Sequence, residues 1–175
     1  MLKLYHGTDI FSAQSIYQQK AFDVNIGYSY VDFGPGFYTT DSYQQATAWA
    51  YRKAKLRHAK PALVILDFDA TAAQPYIVKF ADDLRWGRFI VNNRNGYKYI
   101  EKVPFKEHNL NHKYHITFGR IADLKVLSII QQLRQSEKLL NDIGNILNCN
   151  YAMQYVFHTE FSKTFVSRIT YKSLV

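Results

Sequence analysis

His6 and Gly7 stand side by side in "LKLYHGTD". Glycine exposes its N–H and C=O with no Cβ in the way. An imidazole next to a bare peptide group can bind a ribose hydroxyl and a carboxamide. A second candidate is Tyr38 in "DFGPGFYTT", residues 32–40. The glycines and proline there either make a tight turn into a buried strand or shape the backbone so that a flat ligand lies against the tyrosine. Trp49 and Gln154 complete the set. Taken singly, each has a plainer explanation. His6 is a packed or surface histidine, the two aromatics are core, and a glutamine on a strand faces solvent. Only the combination, in this order, points to a site.

Other chemistries fail on their own terms. "DFG" without a glycine-rich loop, "VAIK" or "HRD" is no kinase signature, and 175 residues are too few for that fold. His108, His112 and His115 lie in the Asn-rich stretch "HNLNHKYH", and Asn109 stands where a zincin carries glutamate. They read as a solvated loop. No G-x-G-x-x-G or P-loop occurs, so a nucleotide would not be held by a glycine-rich cradle at a helix N-terminus. The lone Cys149 allows neither an internal disulfide nor a Cys-rich zinc site.

The elements that must position these residues are readable from periodicity. "LKLYHG" alternates as a strand. Thr8 or Asp9 caps a helix reaching about Lys20. Gly36 to Thr40 reads as a strand. Asp41 and Gln44 have capping-box spacing for a helix running to about His58. Ala46, Trp49, Ala50 and Lys53 share a face of it, with Ala54 beside them. "ALVILDFD" is a buried strand. Phe80, Leu84 and Trp86 have helical spacing, which Gly87 weakens. "YHITF" reads as a strand, residues 122–133 and 139–147 as two helices, and "MQYVFHT" as a strand. A short helical turn near Glu160 then leads to a last strand, "FVSRITYKSL". No regular βαβ rhythm, repeat or linker appears. The prediction is one α+β domain over residues 1–175.

Composition agrees with a folded chain, since 47% of residues are apolar and 21% charged. The net charge of +8 favours anionic partners such as nucleotides, nucleic acid or an acidic protein. "YRKAKLRHAK" (51–60) concentrates some of that charge, on what reads first as a solvated helix face. The N-terminus lacks the apolar run of a signal peptide, and no stretch is long enough to cross a bilayer. A cytoplasmic protein without a membrane partner is expected.

The ordered pieces "LYHGT", "DFGPGFYTT" with "QATAWA", "ITFGRIAD" and "QYVFHTE" resemble the ADP-ribosyltransferase superfamily, in its diphtheria-toxin-like and poly(ADP-ribose)-polymerase-like branch. Within it, the chain is similar to a bacterial family of uncharacterised domains, domain of unknown function 3990 (DUF3990). The resemblance implies a split β-sheet core with flanking helices, and NAD as substrate. It implies that His6 bonds the adenosine-side ribose and that Gly7, with Thr8 beside it, lines the nicotinamide carboxamide site. Tyr38 would stack on the nicotinamide, Trp49 would close the sandwich, and Gln154 would hold the adjoining ribose. His6, Tyr38 and Gln154 are thus the implied catalytic set. Breaking the nicotinamide–ribose bond builds oxocarbenium-like charge on the ribose, and polymerase-like members meet it with a glutamate. Gln154 keeps a hydrogen bond but carries no charge and cannot act as a base. Glu160 is a weaker source of that charge, because it lies beyond the strand.

The expected activity is therefore NAD-dependent mono-ADP-ribosylation of a protein or nucleic-acid acceptor. Relatives in the superfamily that act as bacterial or phage toxins imply an antitoxin-like neutralising partner. The alternatives are an NAD glycohydrolase, a silent domain that binds NAD, ADP-ribose or nucleic acid, and a basic nucleic-acid module that ignores NAD.

Overall fold

Asp9 ends one strand and starts a helix. In the computed structural model, which describes residues 1–25, 31–80, 84–122 and 153–175, β1 spans Leu2–Asp9 and α1 spans Ile10–Gln19. The Asp9 carboxylate accepts from the Ser12 N–H at 3.0 Å, satisfying an orphan donor of the first turn. Lys20 closes α1 in the left-handed region at φ 49°.

The remaining elements are β2 (Phe37–Thr40), α2 (Tyr43–Leu56), β3 (Pro61–Phe68), α3 (Ala70–Ala73), β4 (Ile77–Phe80), α4 (Leu84–Asn95), α5 (Tyr97–Ile100), β5 (Ile116–Arg120), β6 (Met153–Phe157) and β7 (Val166–Ser173). A 3-10 segment, Glu160–Phe165, precedes β7, in keeping with the helical turn expected near Glu160. The cap of α2 differs from the expected capping box. Ser42 is the N-cap, and its Oγ accepts from the Gln45 N–H. Apart from Ala122, the helices expected at 122–133 and 139–147 fall outside the described residues.

One seven-stranded sheet has the order β4-β5-β6-β2-β1-β3-β7. Among the described residues β4 and β5 pair in parallel, and the other neighbours are antiparallel. The domain is α+β. Each face of the sheet buries apolar side chains. On one, Leu4, Val64, Leu66 and Phe68 pack with Phe22, Phe37 and Phe157 under Ala13 of α1. On the other, Phe33, Phe80, Trp86, Phe89, Ile90 and Val156 form a core under α4. Ala46 and Ala50 of α2 press on Leu63 beside it.

Gly87 does not break α4. It is buried in the interior of that helix, which also buries Trp86, Phe89 and Ile90, and the helix forms despite the loss of about 1 kcal/mol against alanine. The buried Asn92 and Asn93 hold the chain that follows. Asn92 Nδ2 donates to Phe105 O at 2.8 Å and Glu107 O at 2.9 Å, and Asn93 Oδ1 accepts from the Asn109 N–H at 2.8 Å.

Candidate functional site

β1 and β2 are neighbours, yet they share a single bridge, Tyr5↔Thr40. Beyond it the strands part. Which groups face the opening follows from hydrogen-bond parity. Ile10 N–H donates to Lys60 O at 2.8 Å, continuing the β1–β3 ladder in the register Asp9↔Pro61. In an antiparallel pair, bonded and non-bonded positions alternate. The even-numbered residues of β1 therefore bond to β3, and the odd-numbered ones turn their peptide groups to the β2 side. The N–H and C=O of Gly7 consequently face the seam.

Gly7 is required there for a second reason. A Cβ would lie 2.0 Å from Ala46 O and 2.7 Å from Ala50 N. The backbone of α2 thus rests directly on the strand, with Ala46, Ala50 and Ala54 buried beneath it. Tyr51 of α2 donates its hydroxyl to Leu174 O at 3.5 Å, just past β7. That contact marks the flank of α2 turned towards β3 and β7. At roughly 3.6 residues per turn, Trp49 and Lys53 occupy the opposite flank, on the side of the seam. Trp49 is 43% exposed, with Arg52 Cζ 4.8 Å from its ring centroid. Sequence spacing put Trp49 on the same helix face as the buried alanines; it stands at the margin of that face.

Across the seam, Tyr38 lies in register with Val156, and Thr40 with Gln154. Residues directly opposite in antiparallel strands point to the same face. The register therefore puts Tyr5, Gly7, Tyr38, Thr40 and Gln154 on the α2 face of the sheet. His6 and Thr8 alternate to the other face. Thr8 is buried and pairs with Ala62.

The His6 ring ties the parted strands together. Its Nδ1 lies 2.7 Å from Tyr38 O. A carbonyl only accepts, so Nδ1 carries the proton and Nε2 keeps its lone pair. The ring stacks on Phe37 at 4.4 Å between centroids. Burial, with Lys53 nearby, lowers its pKa to about 4, against the pull of the Tyr38 carbonyl and Asp9. His6 is a neutral acceptor at physiological pH.

Tyr38 is anchored by its hydroxyl, which accepts from Phe33 N–H at 3.0 Å and donates to Gly34 O at 2.8 Å. Gly34 makes that turn possible at φ +83°. Burial, and secondly the Asp32 carboxylate, push the phenol well above its ordinary range. Tyr38 offers a ring and no base.

Gln154 is buried, and its Nε2 donates to Asp32 Oδ2 and Arg120 O, each at 3.4 Å. Both partners are acceptors, which fixes the flip of the amide and turns Oε1 the other way. Asp32 also accepts from Arg94 Nε at 2.6 Å and Ala122 N–H at 3.0 Å. Burial raises its carboxyl, while the Arg94 ion pair and these hydrogen bonds pull it down. A carboxylate thus sits behind Gln154 although the strand itself carries none. Sequence reasoning missed Asp32 and Arg94, whose partners lie 62 and more residues away.

The histidine-rich stretch is structural. His112 Nδ1 bonds His158 O at 2.6 Å, and His115 Nδ1 lies 2.8 Å from Thr159 Oγ1. Among the described residues no cluster of His, Cys, Asp or Glu is placed to hold a metal.

Compared with known families, residues 2–167 match the one described as Protein of unknown function (DUF3990). The chain belongs to the DUF3990 family. No curated protein and no solved structure matches significantly. Among the described residues of this DUF3990 protein, no helix is long and apolar enough to cross a membrane.

Proposed function

We propose that this DUF3990 protein is an NAD-dependent mono-ADP-ribosyltransferase built on an ADP-ribosyltransferase-like split sheet. The observation that carries the proposal is the seam. β1 and β2 part after one bridge, and the Gly7 peptide faces the opening. Trp49 flanks it from α2, and Tyr38 and Gln154 share its face of the sheet.

In this proposal the Gly7 N–H and C=O pair with the nicotinamide carboxamide, which has one acceptor and two donors. Tyr38 and Trp49 hold the ring, each contact adding roughly 0.5–1.5 kcal/mol beyond area burial. His6 Nε2 accepts from a ribose hydroxyl of the adenosine half. Gln154 Oε1 accepts from a hydroxyl of the ribose that carries nicotinamide. These contacts favour the distorted, charge-bearing ribose over relaxed NAD. The Asp32 carboxylate behind Gln154 lends negative potential, muted by Arg94. Such a site suits an acceptor that is already nucleophilic, because neither Gln154 nor Tyr38 can remove a proton. The acceptor is a protein or a nucleic acid, and the +8 charge favours a phosphate backbone. A toxin role, with a neutralising protein partner, fits such chemistry.

The test is incubation with NAD labelled on the adenylate, together with lysate or nucleic acid. Labelled macromolecule and released nicotinamide are expected, both lost in Gln154→Ala. Free ADP-ribose without labelled macromolecule would assign the protein as an NAD glycohydrolase. The inward hold on the Gln154 amide by Asp32 and Arg120 also favours a non-catalytic NAD-binding role. Tight NAD binding without nicotinamide release would establish that role instead.

A further inference from the structure

Lys53 stands one turn beyond Trp49 on the seam flank of α2, roughly 6 Å further along the helix axis. Alone among the lysines and arginines of α2, it is half-buried; Arg52 and Lys55 are exposed. No hydrogen bond or ion pair holds it among the described residues. The carboxylate whose charge acts on it is already engaged, since Asp9 Oδ2 accepts from Arg57 at 2.9 Å and from Ser12 Oγ at 2.8 Å. A partly desolvated ammonium with no hydrogen-bonded counter-charge is costly, and a bound anion would offset that cost.

We propose that Lys53 is the diphosphate-binding residue of the seam, pairing with the linked phosphates of a dinucleotide whose aromatic end lies at Trp49. This assignment rests on the NAD reading of the same site. The direction of α2 supports it. The helix meets β1 at Gly7 through Ala46 and Ala50, and at Asp9 through Arg57, so it runs the same way as the strand. Lys53 therefore falls level with the open end of the seam, past the Tyr5↔Thr40 bridge. It is near enough to His6 to depress that ring's pKa. The His6 ring lies on the other face of the sheet, so a ligand with one end at Trp49 and its other ribose at His6 Nε2 threads the seam, with Lys53 level with the open end. Burial, and then the neighbouring Arg57 charge, lower the Lys53 pKa, with Asp9 opposing. An anion beside the ammonium opposes both of the depressing effects by favouring its charged form.

The experiment compares wild type, Lys53→Met and Lys53→Arg by calorimetry with NAD, with ADP-ribose, and with nicotinamide riboside, which has no phosphate. Thermal midpoints are measured alongside. Lys53→Met should weaken NAD and ADP-ribose by roughly tenfold or more, the scale of one charge-assisted hydrogen bond. Lys53→Arg should restore most of that loss. The Lys53→Met midpoint should equal or exceed that of wild type, because an uncompensated charge has been removed. Lys53→Met binding NAD as wild type does, or losing NAD affinity together with its thermal midpoint, overturns the assignment and leaves the seam intact. Wild type that fails to bind NAD at all overturns both.

Discussion

Tyr38 shows how far one residue's chemistry can be read from its neighbours in sequence. Its ring and the glycine turn before it were legible, because Gly34 supplies a positive φ that few other residues adopt. What the hydroxyl does was not legible. It closes the turn, accepting from Phe33 N–H and donating to Gly34 O. Tyr38→Phe keeps the stacking surface and leaves both backbone groups without that partner. The expected cost is about 1–3 kcal/mol in urea unfolding, with NAD affinity close to wild type. Tyr38→Ala should lower both. A Phe variant as stable as wild type would show that the turn does not depend on the hydroxyl. Gln154 carries the complementary lesson. Its place on a strand was readable, but the orientation of its amide depends on Asp32 and Arg120, neither of which is near it in the chain.

Elements were legible where a strong local pattern met its own partner. β1, α2, β3 and β7 fall within a few residues of their expected limits, because alternation and the alanine face survive into the packed state. β4 did not stand out. It has four residues, and its strand partner among the described residues, β5, begins with Ile116 opposite Ile77. The parallel pairing that makes it a strand is remote in sequence. α4 was half legible, its Gly87 and buried asparagines obscuring a helix that tertiary contacts stabilise. The seam is wholly a property of pairing, and no local pattern announces where two strands part. It does make a prediction at this scale. Gly7→Ala drives a Cβ into the α2 backbone at Ala46 and Ala50, atoms that cannot rotate away. Either β1 or the helix must shift, at roughly 1–3 kcal/mol or more. A lowered thermal midpoint is expected together with loss of NAD binding, because Trp49 and Lys53 move with α2. An unchanged midpoint would mean that α2 does not rest on β1 as described.

At the scale of the whole molecule, two neutral histidines pin strands on either side of β2. His6 reaches from β1 to Tyr38 O. Past β6, His158 bonds Pro35 O through Nδ1 at 2.6 Å and Thr117 Oγ1 through Nε2 at 2.8 Å. Burial is the leading cause of both depressed pKa values. It takes His6 to about 4, assisted by Lys53 and opposed by the Tyr38 carbonyl and Asp9, and His158 to about 3, assisted by His112 and opposed by the Pro35 carbonyl. An unfolded histidine takes up its proton near pH 6.5, and these two resist until about pH 4 and 3. Between those limits the unfolded chain binds more protons, so stability must fall as pH falls. Asp32 works in the opposite sense, because its raised carboxyl binds a proton in the folded state first. Its contribution partly offsets the histidine effect, and Asp32→Asn removes it. Urea unfolding from pH 7 to 5 should lose on the order of 1–2 kcal/mol for each histidine. His158→Gln should be less stable at pH 7 and show a shallower slope, since one buried titrating imidazole is gone. A wild-type stability that stays flat over that interval would mean that these rings are solvated, and that the strands on either side of β2 are not held by neutral imidazoles.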